Sequence, residues 1–219
     1  MNQTRANCSK TKALLFDLDG TLLDSFPVHL KIFQATMARF NIQVDEKTFI
    51  DTYTPDWYQS YRKLGLPPEH WPAANACWLD EAQKHKPDLL PGVATTLNAL
   101  LPTYRMGIVT SGSYSRVLRD INEHNLAHFF ETVITGDDIQ QPKPHPQGLE
   151  LALAAMYIRP DQGIYIGDTL SDWEMACAAE VPFLGIPSQF ASLTPQIPCP
   201  QVARFSDLLA IFTRPPTSF

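Results

Sequence analysis

The sequence lacks the features of a disulfide-rich, membrane-spanning or exported protein. Its 219 residues include only four cysteines, Cys8, Cys77, Cys177 and Cys199, whose spacing fits no metal site. We therefore expect reduced thiols. No apolar run approaches the length of a membrane span, and the polar first ten residues, MNQTRANCSK, lack the apolar centre of a signal peptide. These absences predict a cytoplasmic protein that has no membrane partner.

Positive charge is also scarce. The chain carries 17 lysines and arginines against 23 aspartates and glutamates, which gives a formal net charge of -6. This balance provides no basic surface for nucleic acid, although a local basic pocket for a small anion is still allowed. The hydrophobic share of 44% is ordinary for a globular protein. The length allows one large domain, or a domain with a smaller one inserted into it.

The most informative stretch that is present is ALLFDLDGT, residues 13 to 21. Four apolar residues lead directly into Asp17 and Asp19, and Gly20 and Thr21 end the run. A continuous apolar run that stops at turn residues is typical of a strand buried in a parallel sheet. In such sheets ligands bind beyond the carboxyl ends of the strands, so we expect both aspartates to lie at a binding site.

Two carboxylates at this spacing indicate metal-assisted chemistry. Side chains two residues apart on a strand point the same way, so Asp17 and Asp19 can face one ligand. Carboxylates that close favour a shared cation or a bound proton, and Mg²⁺ prefers oxygen ligands. Asp17 could then bind the metal and attack an electrophile, while Asp19 moves a proton. The alternative interpretation is a strand followed by a solvated acidic turn.

Strands and helices alternate over most of the chain. Further strands are predicted at residues 105–110, 132–135, 163–167 and 182–186. The alternation predicts an α/β fold with a Rossmann-like parallel sheet core. Residues 24–90 show helical patterns and no strand, so we expect an all-helical cap domain there. It would be inserted into a core formed by residues 1–23 and 91–219.

Local signals predict helix faces, helix ends and one loop. The first cap helix is expected to bury the stripe formed by Leu30, Phe33, Met37 and Phe40. Ser113 is predicted to cap the helix after the second core strand. Ser171 and Glu174 have capping-box spacing, which predicts a helix start after the fourth. Residues 187–200 are rich in proline and predict a loop.

Polar residues follow the core strands. Thr110 and Ser111 end the second strand just before a helix N-terminus, a position that suits phosphate oxygens. Lys143 follows the third strand between two prolines, and Asp168 and Asp172 follow the fourth. Parallel strands bring these positions to one edge, where acids can hold a divalent cation and a lysine can neutralise a phosphoryl group. Taken singly, each is also explained as a strand-end hydroxyl, a solvated lysine or a helix-capping aspartate.

Together these motifs resemble the haloacid dehalogenase superfamily. The resemblance is carried by DLDGT at 17–21, the strand that ends in Thr110, KP at 143–144 and GDTLSD at 167–172. The helical insertion is similar to the cap of the phosphoglycolate phosphatase-like branch. The resemblance extends over nearly the whole chain and implies the same core-and-cap fold.

Residue by residue, the resemblance implies a role for each motif. Asp17 would be the nucleophile that forms an aspartyl-phosphate, and Asp19 would protonate the leaving alcohol and then deprotonate water. The implied phosphate-binding residues are Thr110, Ser111 and Lys143. The implied ligands of Mg²⁺ are Asp17, the backbone carbonyl of Asp19, Asp168 and, directly or through water, Asp172.

The implied activity is Mg²⁺-dependent hydrolysis of a small phosphomonoester. The dehalogenases of the superfamily lack the second aspartate and need no metal, so Asp19 favours phosphoryl transfer. A phosphomutase would share the core residues, and a phosphonate hydrolase would need a cap lysine such as Lys31 or Lys63. A phospho-accepting signalling module is disfavoured by the insertion and the paired aspartates. The substrate stays open among phosphoglycolate, sugar phosphates and nucleotides, and the sequence does not indicate the oligomeric state.

The cap contains an aromatic-rich run that allows two interpretations. Tyr58 and Arg62 could contact the substrate, with Arg62 supplying a cation for an acidic group. Alternatively, the aromatic residues pack the cap's own core while Arg62 is solvated. The run comprises Tyr53, Trp57, Tyr58 and Tyr61.

Overall fold

The computed structural model describes residues 10–54, 57–190 and 198–213. The predictions for Cys8, for the rest of the first nine residues and for the middle of the loop at 187–200 lie outside these residues. Cys77, Cys177 and Cys199 are free thiols, as expected. Within the described ranges, no helix combines the length and the apolar character that crossing a membrane requires.

Seven strands and nine α-helices lie along the described residues. In chain order the strands are β1 (Ala13–Phe16), β2 (Leu23–Asp24), β3 (Asp88–Leu89), β4 (Arg105–Val109), β5 (Thr132–Ile134), β6 (Gly163–Gly167) and β7 (Phe183–Gly185). The α-helices are α1 (Phe26–Ala38), α2 (Glu46–Thr52), α3 (Trp57–Lys63), α4 (Trp71–Lys84), α5 (Val93–Leu100), α6 (Tyr114–Glu123), α7 (Gln147–Ala155), α8 (Leu170–Ala178) and α9 (Leu208–Phe212).

Five strands form a parallel sheet in the order β5-β4-β1-β6-β7. Successive side chains of the central strand β1 point to opposite faces, so Leu14 and Phe16 join one apolar cluster while Ala13 and Leu15 join another. Both faces of the sheet are therefore covered, which explains why β1 appears in the sequence as an unbroken apolar run. The predicted α/β fold with a Rossmann-like core and a helical cap is confirmed.

Helices α1 to α4 form the cap. They bury an apolar cluster of their own, in which Phe49 and Tyr61 are fully enclosed. One core residue, Phe190, joins this cluster through ring contacts with Phe26 and Tyr53. Most of the aromatic run thus packs inside the cap. The exact domain limits at residues 24 and 90 stay a prediction.

Two very short strands connect the cap to the core. Leu23 pairs with Leu89 and Asp24 with Asp88 in an antiparallel ladder formed by β2 and β3. The prediction that residues 24–90 contain no strand is therefore wrong at both ends of that block. A two-residue strand is too short to show an alternating pattern in the sequence. The pairing of β2 with β3, the two segments that join cap and core, is therefore visible only in the fold.

The start of α8 differs from its prediction. Thr169 is the N-cap, and its hydroxyl accepts a hydrogen bond from the Asp172 N–H at 3.2 Å. The Asp172 carboxylate in turn accepts one from the Thr169 N–H at 3.0 Å. The predicted capping box of Ser171 and Glu174 is wrong, because the same spacing occurs two residues earlier and is the one used.

The cap of α6 also departs from its prediction. Ser113 is the N-cap residue, but its side chain makes no capping hydrogen bond. Instead, the Asp137 carboxylate accepts a hydrogen bond from the Tyr114 N–H at 2.8 Å. A residue from another segment therefore satisfies this helix end.

Helix α1 buries a face rotated from the predicted stripe. Phe33 and Met37 are buried as expected, but Leu30 and Phe40 are only partly buried. His29 is fully enclosed on the same helix. This rotation brings an imidazole towards the carboxyl end of β1.

Candidate active site

A small cavity of about 30 Å³ lies at the carboxyl ends of the central strands. The structure brings most of the predicted site residues together there. Those that line the cavity are Asp17, Asp19, Thr110, Ser111, Lys143 and Asp172. Tyr53 of the cap and Phe190 of the core close its other side.

Three carboxylates form a compact cluster beside this cavity. Asp17, Asp168 and Asp172 are buried, and each contributes an oxygen that lies within 4.8 Å of the others. Burial, partly offset by Lys143, raises the pKa of Asp17 to about 7. Burial and the nearby Asp17 charge also raise the pKa of Asp168 well above its usual value. A divalent cation would relieve this repulsion, and an all-oxygen donor set fits Mg²⁺.

Two hydroxyl groups and a glycine surround the Asp168 carboxylate. The carboxylate accepts hydrogen bonds from the Thr21 hydroxyl at 3.3 Å and from the Ser188 hydroxyl. Gly20 has a φ of 79°, and a Cβ there would lie 2.3 Å from the Asp168 Oδ2 atom. Glycine is therefore required at this position by both conformation and space.

Lys143 bridges two of the clustered acids. Its Nζ atom lies 2.6 Å from Asp17 Oδ1 and 2.8 Å from Asp172 Oδ1. The Tyr165 hydroxyl contacts the same Nζ atom at 2.8 Å and donates to the Val109 carbonyl at 2.8 Å. Burial alone would lower the pKa of Lys143, but the two carboxylates raise it above its usual value. The ammonium group is thus held charged against Asp17.

The Asp19 carboxylate has different partners. Arg116 donates to both of its oxygens, at 2.5 Å and 3.0 Å, and His29 Nε2 lies 3.6 Å away. Burial would raise the pKa of Asp19, but the guanidinium outweighs it and lowers that pKa to about 2. Burial lowers the pKa of His29 to about 4, so the imidazole is neutral at pH 7. Asp19 does not belong to the carboxylate triad that its neighbour Asp17 forms.

Sequence reasoning missed Arg116, His29 and Tyr165. Arg116 lies four residues before Asp120 on α6, a spacing that is typical of a solvated ion pair. The one trace of this arrangement in the sequence is the glycine at position 112. The fold explains it, because a Cβ there would lie 2.1 Å from the Arg116 Nη2 atom. The glycine leaves room for the guanidinium to reach Asp19.

A larger cleft of about 560 Å³ opens beside Asp19, between cap and core. Tyr58, one of the two predicted substrate contacts, lines this cleft. Arg62, the other, is exposed and lies over the Trp71 ring, with its Cζ atom 5.7 Å from the ring centroid. Arg62 is not among the described residues that line the cleft.

Comparisons with known proteins agree with the motifs. The family model of haloacid dehalogenase-like hydrolases matches residues 14–186. The chain is 30% identical over 214 residues to pyrophosphatase PpaX of Listeria monocytogenes, covering 92% of this chain and 96% of that protein. It is 28% identical over 203 residues to phosphoglycolate phosphatase of Salmonella choleraesuis, covering 80% and 81%.

A solved structure supports the same assignment. A Lactobacillus plantarum protein, described provisionally as a phosphoglycolate phosphatase, has a TM-score of 0.85 and 25% identity, covering 92% of this chain and 99% of that one. The family model covers well over half of the 219 residues. The resemblance seen in the sequence is thus confirmed, and the chain belongs to the haloacid dehalogenase-like hydrolases.

Proposed function

We propose that this hydrolase is a Mg²⁺-dependent phosphatase that cleaves a small phosphomonoester through an aspartyl-phosphate on Asp17. The observation that carries the proposal is the contact of Asp17 with Lys143, next to a triad of carboxylates. This arrangement combines a nucleophile, a fixed cation and a metal site at the end of one sheet. The pyrophosphatase and phosphoglycolate phosphatase names of the two relatives support the same class of reaction.

In the first half of the reaction, Asp17 attacks phosphorus and the bond to the leaving oxygen breaks. Asp19 would protonate that oxygen, so that the product leaves as a neutral alcohol. Because Arg116 holds the Asp19 carboxylate ionised in this structure, the step requires that substrate binding separate the two side chains. Lys143, with the hydroxyl and backbone groups of Thr110 and Ser111, binds the phosphoryl oxygens and holds them in line.

In the second half, water attacks the aspartyl-phosphate. Asp19 takes the proton from this water, inorganic phosphate leaves and Asp17 is regenerated. Bound Mg²⁺ supplies neutralisation of the charge on the phosphoryl oxygens. The residues proposed to hold it are Asp17, Asp168 and Asp172, with the backbone carbonyl of Asp19.

The decisive variant is Asp17→Asn, because it keeps the size of the side chain and removes the nucleophile. Phosphate release from an aryl phosphate in the presence of Mg²⁺ should fall by about 10³-fold or more, while circular dichroism stays unchanged. Asp161→Asn is a matched control, since Asp161 is exposed, forms a salt bridge with Arg159 two residues away, and is not among the residues that line the small cavity or the cleft. Unchanged turnover in Asp17→Asn would remove the nucleophile from the mechanism.

Placement of the cap lysines argues against phosphonate hydrolysis. Such a reaction requires a lysine amine at the substrate to form a Schiff base. Lys31 and Lys63 are both exposed, and among the described residues neither lines the small cavity or the cleft. Phosphate ester hydrolysis needs no such lysine.

A further inference from the structure

We propose that the cleft beside Asp19 binds a neutral, hydroxylated ring as the leaving group, so that the enzyme prefers monophosphates of cyclic sugars or nucleosides to substrates whose leaving group is negatively charged. This inference rests on the function proposed above and adds the class of the leaving group. Three independent features of the cleft carry it: its rings, its unpaired polar atoms and its charge.

The first feature is size and aromatic lining. A cleft of about 560 Å³ is in the range of sites for whole small molecules, roughly 300–1,000 Å³, whereas glycolate has only a handful of non-hydrogen atoms. Trp57 and Trp78 contribute rings whose centroids are 4.9 Å apart, and Tyr58 adds a ring that is 46% exposed. The exposed ring of Tyr58 can stack on the C–H face of a sugar or on a nucleobase, whereas Trp57 and Trp78 pack within the cap's apolar cluster and form part of the cleft wall.

The second feature is a concentration of buried polar atoms that have no hydrogen-bond partner. Five of the eight such atoms found among the described residues belong to residues that line the cleft. They are His29 Nδ1, Trp78 Nε1, Ser111 Oγ, Ser113 Oγ and Arg116 Nε. Buried polar groups are normally paired, and the indole and guanidinium nitrogens can only donate. Because these atoms are themselves buried, a ligand in the cleft reaches them only if the side chains that cover them shift when it binds. A ligand rich in oxygen acceptors and hydroxyls would then supply the partners that they lack.

The third feature is charge. Arg116 is the single lysine or arginine among the described lining residues, and both of its Nη atoms are already engaged by Asp19. Asp120 also accepts from its Nη1 atom, at 3.3 Å. Asp137 adds a second acid to the wall of the cleft. A carboxylate or second phosphate on the leaving group would be repelled by these acids and would find no unpaired cation to neutralise it. A neutral ring would carry no such penalty.

The test compares substrates on the full-length, Mg²⁺-loaded protein. The ring arm uses glucose 6-phosphate and adenosine monophosphate, which separate a sugar from a nucleoside; the anionic arm uses 2-phosphoglycolate and pyrophosphate. The better ring substrate should exceed both anionic substrates in kcat/KM by about tenfold or more. Equal or higher kcat/KM in the anionic arm would overturn the inference. An aryl phosphate serves as the reference, because absence of its hydrolysis would instead refute the proposed function itself.

Two variants test the features separately. Tyr58→Ala should raise KM for the preferred ring substrate by about fivefold, a larger effect than on kcat, because it removes one stacking surface. Tyr157→Ala is the matched control, since Tyr157 is 92% exposed and is not among the lining residues. Unchanged KM in Tyr58→Ala would count against ring binding.

Asp137→Asn keeps an acceptor for the Tyr114 N–H and removes one negative charge. It should raise kcat/KM for 2-phosphoglycolate relative to the ring substrate by several-fold. An unchanged ratio would show that the acidic wall does not set the preference, and would overturn the charge argument.

Discussion

Loss of Arg116 should destabilise the fold by several kcal/mol, because it would leave the Asp19 carboxylate buried without its cation. The two side chains are only 7% and 12% exposed, and two hydrogen bonds join them at 2.5 Å and 3.0 Å. Arg116→Met keeps much of the apolar stem of the side chain and removes its charge. The Asp19 carboxylate is then buried without the guanidinium that pairs with it. Removing one partner of a buried pair costs about 3–5 kcal/mol. Asp120 loses less, because it keeps Arg119 at 2.7 Å.

The pKa of Asp19 gives an independent estimate of this magnitude. It is about 2 in the folded protein, against 3.8 for the unperturbed group, and the difference corresponds to ~2.4 kcal/mol. Because the folded pKa is the lower one, this stabilisation is present above about pH 4 and is lost as pH falls towards about 2. This value of ~2.4 kcal/mol is a net effect, because burial of Asp19 raises its pKa and so offsets part of the lowering by Arg116. Loss of Arg116 at pH 7 should therefore cost more than ~2.4 kcal/mol, in agreement with the first estimate.

Urea unfolding of the metal-free protein at pH 7, followed by tryptophan fluorescence, measures the effect. A double-mutant cycle with Asp19→Asn isolates the pair. The double variant should be less destabilised than Arg116→Met alone, with a coupling energy of about 2 kcal/mol or more. The reasoning would be refuted by a loss below about 1 kcal/mol in Arg116→Met, or by a coupling energy near zero.

Three other positions should give separable effects. Because the pKa of Asp17 is about 7 without metal, Mg²⁺ binding should weaken below that pH and should release protons. Calorimetry in buffers of different ionisation enthalpy measures the proton release, and binding that releases no protons would contradict this prediction. Tyr165→Phe removes the hydroxyl that contacts Lys143 at 2.8 Å, so kcat for an aryl phosphate should fall about tenfold; full activity would show that the contact is dispensable. Gly112→Ala would place a Cβ 2.1 Å from Arg116 Nη2 and should lower the free energy of unfolding by about 1–3 kcal/mol, which an unaltered urea midpoint would disprove.

Features carried by contiguous residues were predictable from the sequence. The five core strands were located to within one residue at each end, because each is an apolar run that stops at polar or turn residues. The same runs identified the residues that follow them, and a parallel sheet brings those positions to one edge. Asp17 and Lys143 lie 126 residues apart in the sequence, yet this argument predicted that they would meet.

Features that depend on the neighbours of a helix were not predictable in this way. Arg116 and Asp120 lie on α6 beside the buried Val117 and Ile121, and all four are buried in the fold. The spacing of the two charges alone predicts an ion pair on the helix surface. Whether such a charge is buried depends on a partner elsewhere in the chain, which the spacing does not reveal. That partner is Asp19, at a separation of 97 residues.

The cap shows the same limit within a single helical turn. Tyr58 and Arg62 are four residues apart on α3, so the sequence places them on one face of the helix. The fold gives them different neighbours: Tyr58 lines the cleft, whereas Arg62 lies over Trp71. Arg62, which the sequence suggested as a cation for an acidic substrate, is therefore placed away from the cleft. The preference for a neutral leaving group proposed above follows from this placement together with the pairing of Arg116, two facts of tertiary structure.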